Sequence, residues 1–234
     1  MNQIELKEFL DYKANQYELI DFITSDPIQI PHRFKQKEDV EIAGFLTASI
    51  AWGNRLSILK SANKMIALMD DSPYDFIINH KKSDLSIFEG FVHRTFNATD
   101  LTFFVRSLQN IYKNHQGLEN VLNSNKSSLQ HTIHDFKSIF FEIDHPQRTL
   151  KHVSDPLKGS AAKRLNMFMR WMVRSNTKGV DFGIWKHHSP AQLSIPLDVQ
   201  TGNIARKLNL IQRKQNDSKT LRELDKKLRK FDPV

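Results

Sequence analysis

Apolar residues recur along most of this chain at the three- and four-residue spacing of helices. Val40, Ala43, Phe45, Leu46 and Ile50 predict a largely apolar helix; Leu56, Leu59, Ile66 and Met69 predict another, with a break near Trp52-Gly53-Asn54. Leu101, Phe104, Val105, Leu108, Ile111 and Tyr112 form the next stripe, with Asp100 as its expected N-cap. Leu129, Ile133, Phe136, Ile139 and Phe140 form one more. In the helix predicted from Ser160, Leu165, Phe168, Met169, Met172 and Val173 share one face, while Lys163, Met167, Arg170 and Arg174 share the opposite one. Asp198 opens a helix striped by Ile204, Ala205, Leu208 and Ile211, and Asp217-Ser218 opens a last one carrying Leu221, Leu224, Leu228 and Phe231. No convincing strand pairs fall between them, and loops are expected near 26–38, 70–75, 144–159, 175–197 and 212–217. The predicted fold class is all-α.

Composition adds little to this until charge is divided along the chain. At 234 residues and 39% apolar content the chain builds a substantial core without covalent staples. With no cysteine it has no disulfide, thiol nucleophile or thiolate metal cluster. The N-terminal MNQIELKEFLDYK is acidic and amphipathic, unlike a signal peptide, and no apolar run approaches the ~18 residues of a membrane span. A cytoplasmic protein with no membrane partner is expected. The net charge is +8, yet residues 1–150 hold 16 basic and 19 acidic side chains whereas residues 151–234 hold 18 and 7. A basic last third fits either a polyanionic partner or a solvated basic surface.

Within that third, Lys163 and Asp198 carry the most chemistry. With Ser160 as N-cap, Lys163 stands at the third helical position, where the macrodipole disfavours a cation and a capping box would place Glu. That field, with Arg164 and Arg170 nearby, favours the neutral amine a nucleophile requires. The alternative is an exposed surface lysine. Asp198 fits an N-cap, which alone would explain it, but a carboxylate fixed by helix amides also suits stabilisation of a developing sugar cation. Ile195-Pro196-Leu197 imposes an extended approach to that helix.

A lysine-bearing helix followed by a proline-x-aspartate segment that opens a basic helix resembles the helix-hairpin-helix DNA glycosylase superfamily. The 35 residues from Lys163 to Asp198 are closest in style to the archaeal type of 8-oxoguanine glycosylase. The blocks AGFLTASIAWGNR, FVHRTFNATDL, KGSAAKRLNMFMRWMVR, VDFGIWK and IPLDVQTGNIARKL also resemble a family of bacterial proteins, a likeness that carries no activity of its own. The superfamily resemblance implies a two-lobed helical fold in one compact unit, 1–234, with a cleft between lobe A, about 40–175, and lobe B, about 1–39 plus 190–234. It implies a DNA repair glycosylase acting on duplex DNA with a damaged base, such as an oxidised purine, and having abasic-site lyase activity as well. Lys163 takes the place of the nucleophile and Asp198 that of the catalytic aspartate, without a cofactor or metal, in a protein expected to be monomeric. The usual hairpin turn, leucine-proline-glycine-x-glycine, is replaced by Asp155-Pro156-Leu157-Lys158-Gly159-Ser160, which makes Lys158 a rival nucleophile. Gln200 stands where the bacterial family has histidine.

A flipped base needs an apolar or aromatic slot, for which Trp185, Phe182, Trp171 and Trp52 are the candidates. Core packing is the competing reading of Trp52 and Trp185. Lys158, Gly159, Ser160, Arg170, Arg174, Lys186 and Arg206 are the expected phosphate contacts. Ser160-x-x-Lys163 also has the nucleophile spacing of penicillin-binding enzymes, whose SDN and KTG companions are missing. His131-x-x-His134 and His187-His188 lack the carboxylates to complete a metal site, and the HRF and HRTF segments at 32–34 and 93–96 read as interhelical anchors. The competing function is a DNA- or RNA-binding protein that keeps the fold without base excision.

Overall fold

A computed structural model describes residues 2–123 and 128–233. In chain order the α-helices are α1 (Gln3–Tyr17), α2 (Lys37–Ser49), α3 (Arg55–Ala67), α4 (Pro73–Asn79), α5 (Ala98–Asn114), α6 (Leu118–Leu122), α7 (Leu129–Phe140), α8 (Lys163–Val173), α9 (Val199–Lys207) and α10 (Ser218–Leu228). Short 3₁₀ turns fill much of the connecting chain, including 20–33, 147–152 and 156–158. The described chain is mostly helical, as its periodicity predicts, and none of its described helices is long and apolar enough to cross a membrane. Its contacts group into two compact units, Met1–Ser25 with Asp155–Val234, and Asp26–Ser154.

In the Asp26–Ser154 unit, α2 is buried at every position from Val40 to Ser49, as befits a helix that is apolar nearly all round. Phe45 on α2 meets Phe104 of α5 and Phe136 and Phe140 of α7, with ring centroids 5.9, 5.6 and 5.5 Å away. Asp100 is not the cap of α5. Asn97 is, accepting the Thr99 and Asp100 amides at 3.1 and 3.4 Å, while Asp100 closes a capping box by accepting the Asn97 amide at 3.0 Å. The carboxylate of Asp100 is fully buried and also takes the Thr149 hydroxyl at 2.7 Å and Arg148 at 3.0 Å. The sequence pattern missed α4, which begins at Pro73 inside an expected loop, and the two-residue pairing of Val92–His93 with Phe96–Asn97, too short to alternate. The expected anchors engage α3: Arg33 donates to Asn63 at 3.1 Å, and His93 Nδ1 lies 2.9 Å from Ser61 Oγ.

The other unit closes around Leu6, Ala161, Leu197, Ala205, Leu210, Ile211, Leu221 and Leu224. Leu6 comes from α1, whose N-cap Asn2 forms a capping box with Glu5. Because Ala161 packs with residues of α9 and α10, the chain from 155 onward groups with the C-terminal segments. The division falls after Ser154, not near 175. On α8, Leu165, Phe168, Met169, Met172 and Val173 are buried as the periodicity predicts. Its last carbonyls are satisfied by the returning chain, with the Phe182 amide donating to Trp171 O at 2.8 Å and the Trp185 amide to Met172 O at 3.0 Å.

Candidate active site

The turn before α8 is built by Asp155, whose side chain accepts the Leu157 amide at 3.1 Å and whose carbonyl accepts the Lys158 and Ser160 amides, each at 3.2 Å. Gly159 turns the chain at φ +95°, and its amide donates to Pro156 O at 3.1 Å. The amides of Gly159 and Ser160 are therefore engaged within the turn, which corrects their expected role in holding a phosphate. Ser160 does not cap α8 either. Its hydroxyl oxygen accepts the Ala162 amide at 3.0 Å, Ala162 takes a left-handed conformation at φ 45°, and Lys163 becomes the first helical residue.

Asp198 caps α9 as expected, accepting the Thr201 amide at 2.9 Å. The buried Leu197 beside it anchors the extended approach in the apolar cluster. The arrangement brings Lys163 and Asp198 together: Nζ lies 3.6 Å from Oδ2, with the side chains 35% and 39% exposed. Partial burial pushes the Asp198 carboxyl up, but the Thr201 amide and the Lys163 ammonium outweigh it and hold the carboxyl below its ordinary 3.8. A depressed folded-state value stabilises the fold above the unfolded value and loses that contribution as pH falls through the folded one. Wild type should therefore exceed Asp198→Asn in stability at neutral pH, and the margin should close below about pH 3.8, as measured by urea unfolding across pH. A margin independent of pH would assign the effect to packing instead of charge.

Burial separates the four aromatic candidates. Trp185 is 1% exposed and sits edge-to-face on Phe168 at 5.3 Å, and Trp171 is likewise buried, so both belong to the core. Phe182 is half-buried with its amide tied to α8. Trp52 is half-buried in the Asp26–Ser154 unit, 5.2 Å from the His93 ring and 6.0 Å from that of His152.

Several expected phosphate contacts already have partners within the unit. Arg170 and Arg174 each reach Asp181 Oδ2 at 3.3 Å, and Arg174 also pairs with Glu18. Burial of Asp181 pushes its carboxyl up despite both guanidinium groups. Arg206 donates to the carbonyls of Arg213 and Lys214, both at 2.7 Å, because the chain folds back over α9 there. Lys158 and Lys186 stay exposed. Beside Lys163, burial lowers the Arg164 guanidinium to about 10. Among the described residues, no group of three or more His, Cys, Asp or Glu is placed to hold a metal ion.

Asn216, which no sequence motif marks, donates its side-chain amide to the backbone carbonyl of Asp198 at 2.9 Å. The available signal was Gly202, a glycine in a helix interior, where the missing side chain admits Asn216. The site thus holds a primary amine and an ionised carboxylate side by side, each fixed at a helix start and open to solvent. No curated protein and no solved structure matches the chain. Over residues 26–234 it matches, and so belongs to, the family described as protein of unknown function (DUF2400).

Proposed function

We propose that this protein is a DNA repair glycosylase with abasic-site lyase activity, of the helix-hairpin-helix kind, acting through Lys163 and Asp198 on duplex DNA carrying a damaged base. The observation that carries the reading is the 3.6 Å approach of an amine and a carboxylate from helix starts 35 residues apart in a basic segment. The damaged nucleotide turns out of the duplex so that its sugar reaches the pair. Lys163 and Asp198 rest as an ion pair that reaches solvent, and Nζ passes one proton to solvent before it attacks. The free amine then forms a bond to C1′ as the glycosidic bond breaks, and the departing base takes up a proton from solvent. Asp198, held ionised by its cap, stabilises the positive charge that develops on the sugar. Opening of the sugar ring gives a Schiff base on Lys163. Loss of the 2′ proton then expels the 3′ phosphate and cleaves the strand.

Support also comes from the charge distribution, although Arg170, Arg174 and Arg206 serve internal contacts, leaving Lys158 and Lys186 as the phosphate contacts retained in the reading. The test is borohydride trapping and base release on duplexes containing an oxidised purine, a deaminated base or an abasic site. A covalent protein–DNA adduct with at least one of these is expected. Binding with neither adduct nor base release overturns excision and leaves a nucleic-acid-binding protein.

A further inference from the structure

We infer that the 208–217 turn and α10 form a positioning brace that holds Lys163 and Asp198 in register, with Asn216 as its central positioning residue. The inference rests on the proposed role of that pair. The brace touches both sides of the pair. On the lysine side, the Ser218 amide donates to Gly159 O at 3.0 Å, and Ser160 and Asp217 form an isolated antiparallel bridge, which ties the turn before α8 to the start of α10. On the aspartate side, Asn216 Nδ2 donates to Asp198 O at 2.9 Å.

Asn216 has little freedom to do otherwise. Its Oδ1 accepts from Arg206 Nη2 at 2.6 Å, and Arg206 is itself held by the Arg213 and Lys214 carbonyls. A Cβ at Gly202 would lie 2.4 Å from Asn216 Oδ1 and 2.9 Å from Arg206 Nη1, so the glycine keeps the space in which this link is made. Further along α10, the buried Asp225 accepts the Ser194 hydroxyl at 2.7 Å and the Ile195 amide at 3.4 Å. Arg229, just past the helix, donates to Ala191 O at 3.0 Å and Leu193 O at 3.1 Å. The extended chain leading to Asp198 and the turn leading to Lys163 are thus fastened to one element. Neither Asn216 nor Ser218 need touch a substrate for this; they act through the residues they hold.

The test reads Asp198 directly and does not need turnover. Asn216→Leu and the milder Asn216→Ser are compared with wild type by carbon-13 NMR titration of the aspartate carboxyls, with Asp198 assigned by its loss in Asp198→Asn. Thermal unfolding of each variant confirms that it is folded at the titration temperature. In wild type the Asp198 midpoint should lie below the ordinary aspartate range, and both variants should raise it towards that range as the Thr201 cap loosens. A midpoint that stays at the wild-type value in both variants overturns the brace. On a duplex that wild type cleaves, single-turnover excision should also fall by about 10- to 100-fold while duplex affinity stays within about threefold, the split expected when a reacting group is misplaced. An equal loss in rate and affinity would contradict positioning. Absence of excision by wild type would overturn the glycosylase reading alone and leave the titration result standing.

Discussion

Lys163→Ala is expected to abolish the covalent adduct and to lower base excision by roughly 10³-fold or more, the scale seen when a nucleophile is removed from a site whose groups act as a unit. The expectation follows from position. Lys163 is the first residue of α8, its Nζ is 3.6 Å from the carboxylate of Asp198, and both groups reach solvent. Lys158, five residues earlier on the exposed turn, gives the control. Its replacement by alanine should weaken duplex binding through loss of one phosphate contact, lower the salt slope by about one, and leave the adduct in place. If the two variants exchanged these behaviours, the assignment of roles to the turn would be reversed. The substitution at Lys163 should cost the fold little, because the side chain is a third exposed and surface changes usually stay within about 0.5 kcal/mol.

The largest effect on stability is expected at Phe140, where replacement by alanine should cost about 3–5 kcal/mol. Its ring is fully buried at the end of α7, 4.8 Å from Phe104, 5.5 Å from Phe45, 5.6 Å from Phe103 and 5.3 Å from Phe141. Edge-to-face pairs of this kind add to the area they bury, and the surrounding rings come from α2, α5 and the residue that ends α7, which collapse only partly into a cavity. Against a typical domain stability of about 5–15 kcal/mol, such a loss removes a large part of the margin of the Asp26–Ser154 unit. Urea unfolding followed by fluorescence should show a lower midpoint with an unchanged slope. A loss below about 1 kcal/mol would mean that the cluster repacks, contrary to the tight neighbourhood described.

Much of the helical framework was legible because burial leaves a period. Phe45, Leu101, Phe136, Leu165 and Leu221 all lie in the described core, as their stripes predict. The ends were less legible, since caps depend on one hydrogen bond apiece. Asn97 displaces Asp100 at α5, and the left-handed Ala162 moves the start of α8 past Ser160, shifting Lys163 from the third position to the first. Asp198 was readable as a cap because its acceptor and the Thr201 amide lie in one local motif. The aromatic candidates show the opposite limit. Trp185 stands among loop residues in the sequence, but the 180–185 segment folds back along α8 and buries it against Phe168, a tertiary fact with no local signature. Likewise, the basic stripe of α8 gave no sign that Arg170 and Arg174 would be taken up by Asp181 and Glu18. Lys163 and Asp198 themselves, though distant in sequence, meet because Ala161, Leu197 and Ala205 share one apolar cluster.

Lys163 is the proposed nucleophile of the covalent step, so the decisive measurement is peptide mapping by mass spectrometry of the borohydride-reduced protein–DNA adduct. The reduced sugar remnant should map to Lys163. A remnant on Lys158 or on the N-terminal amine, or no adduct and no base release with any of the damaged duplexes, would contradict it.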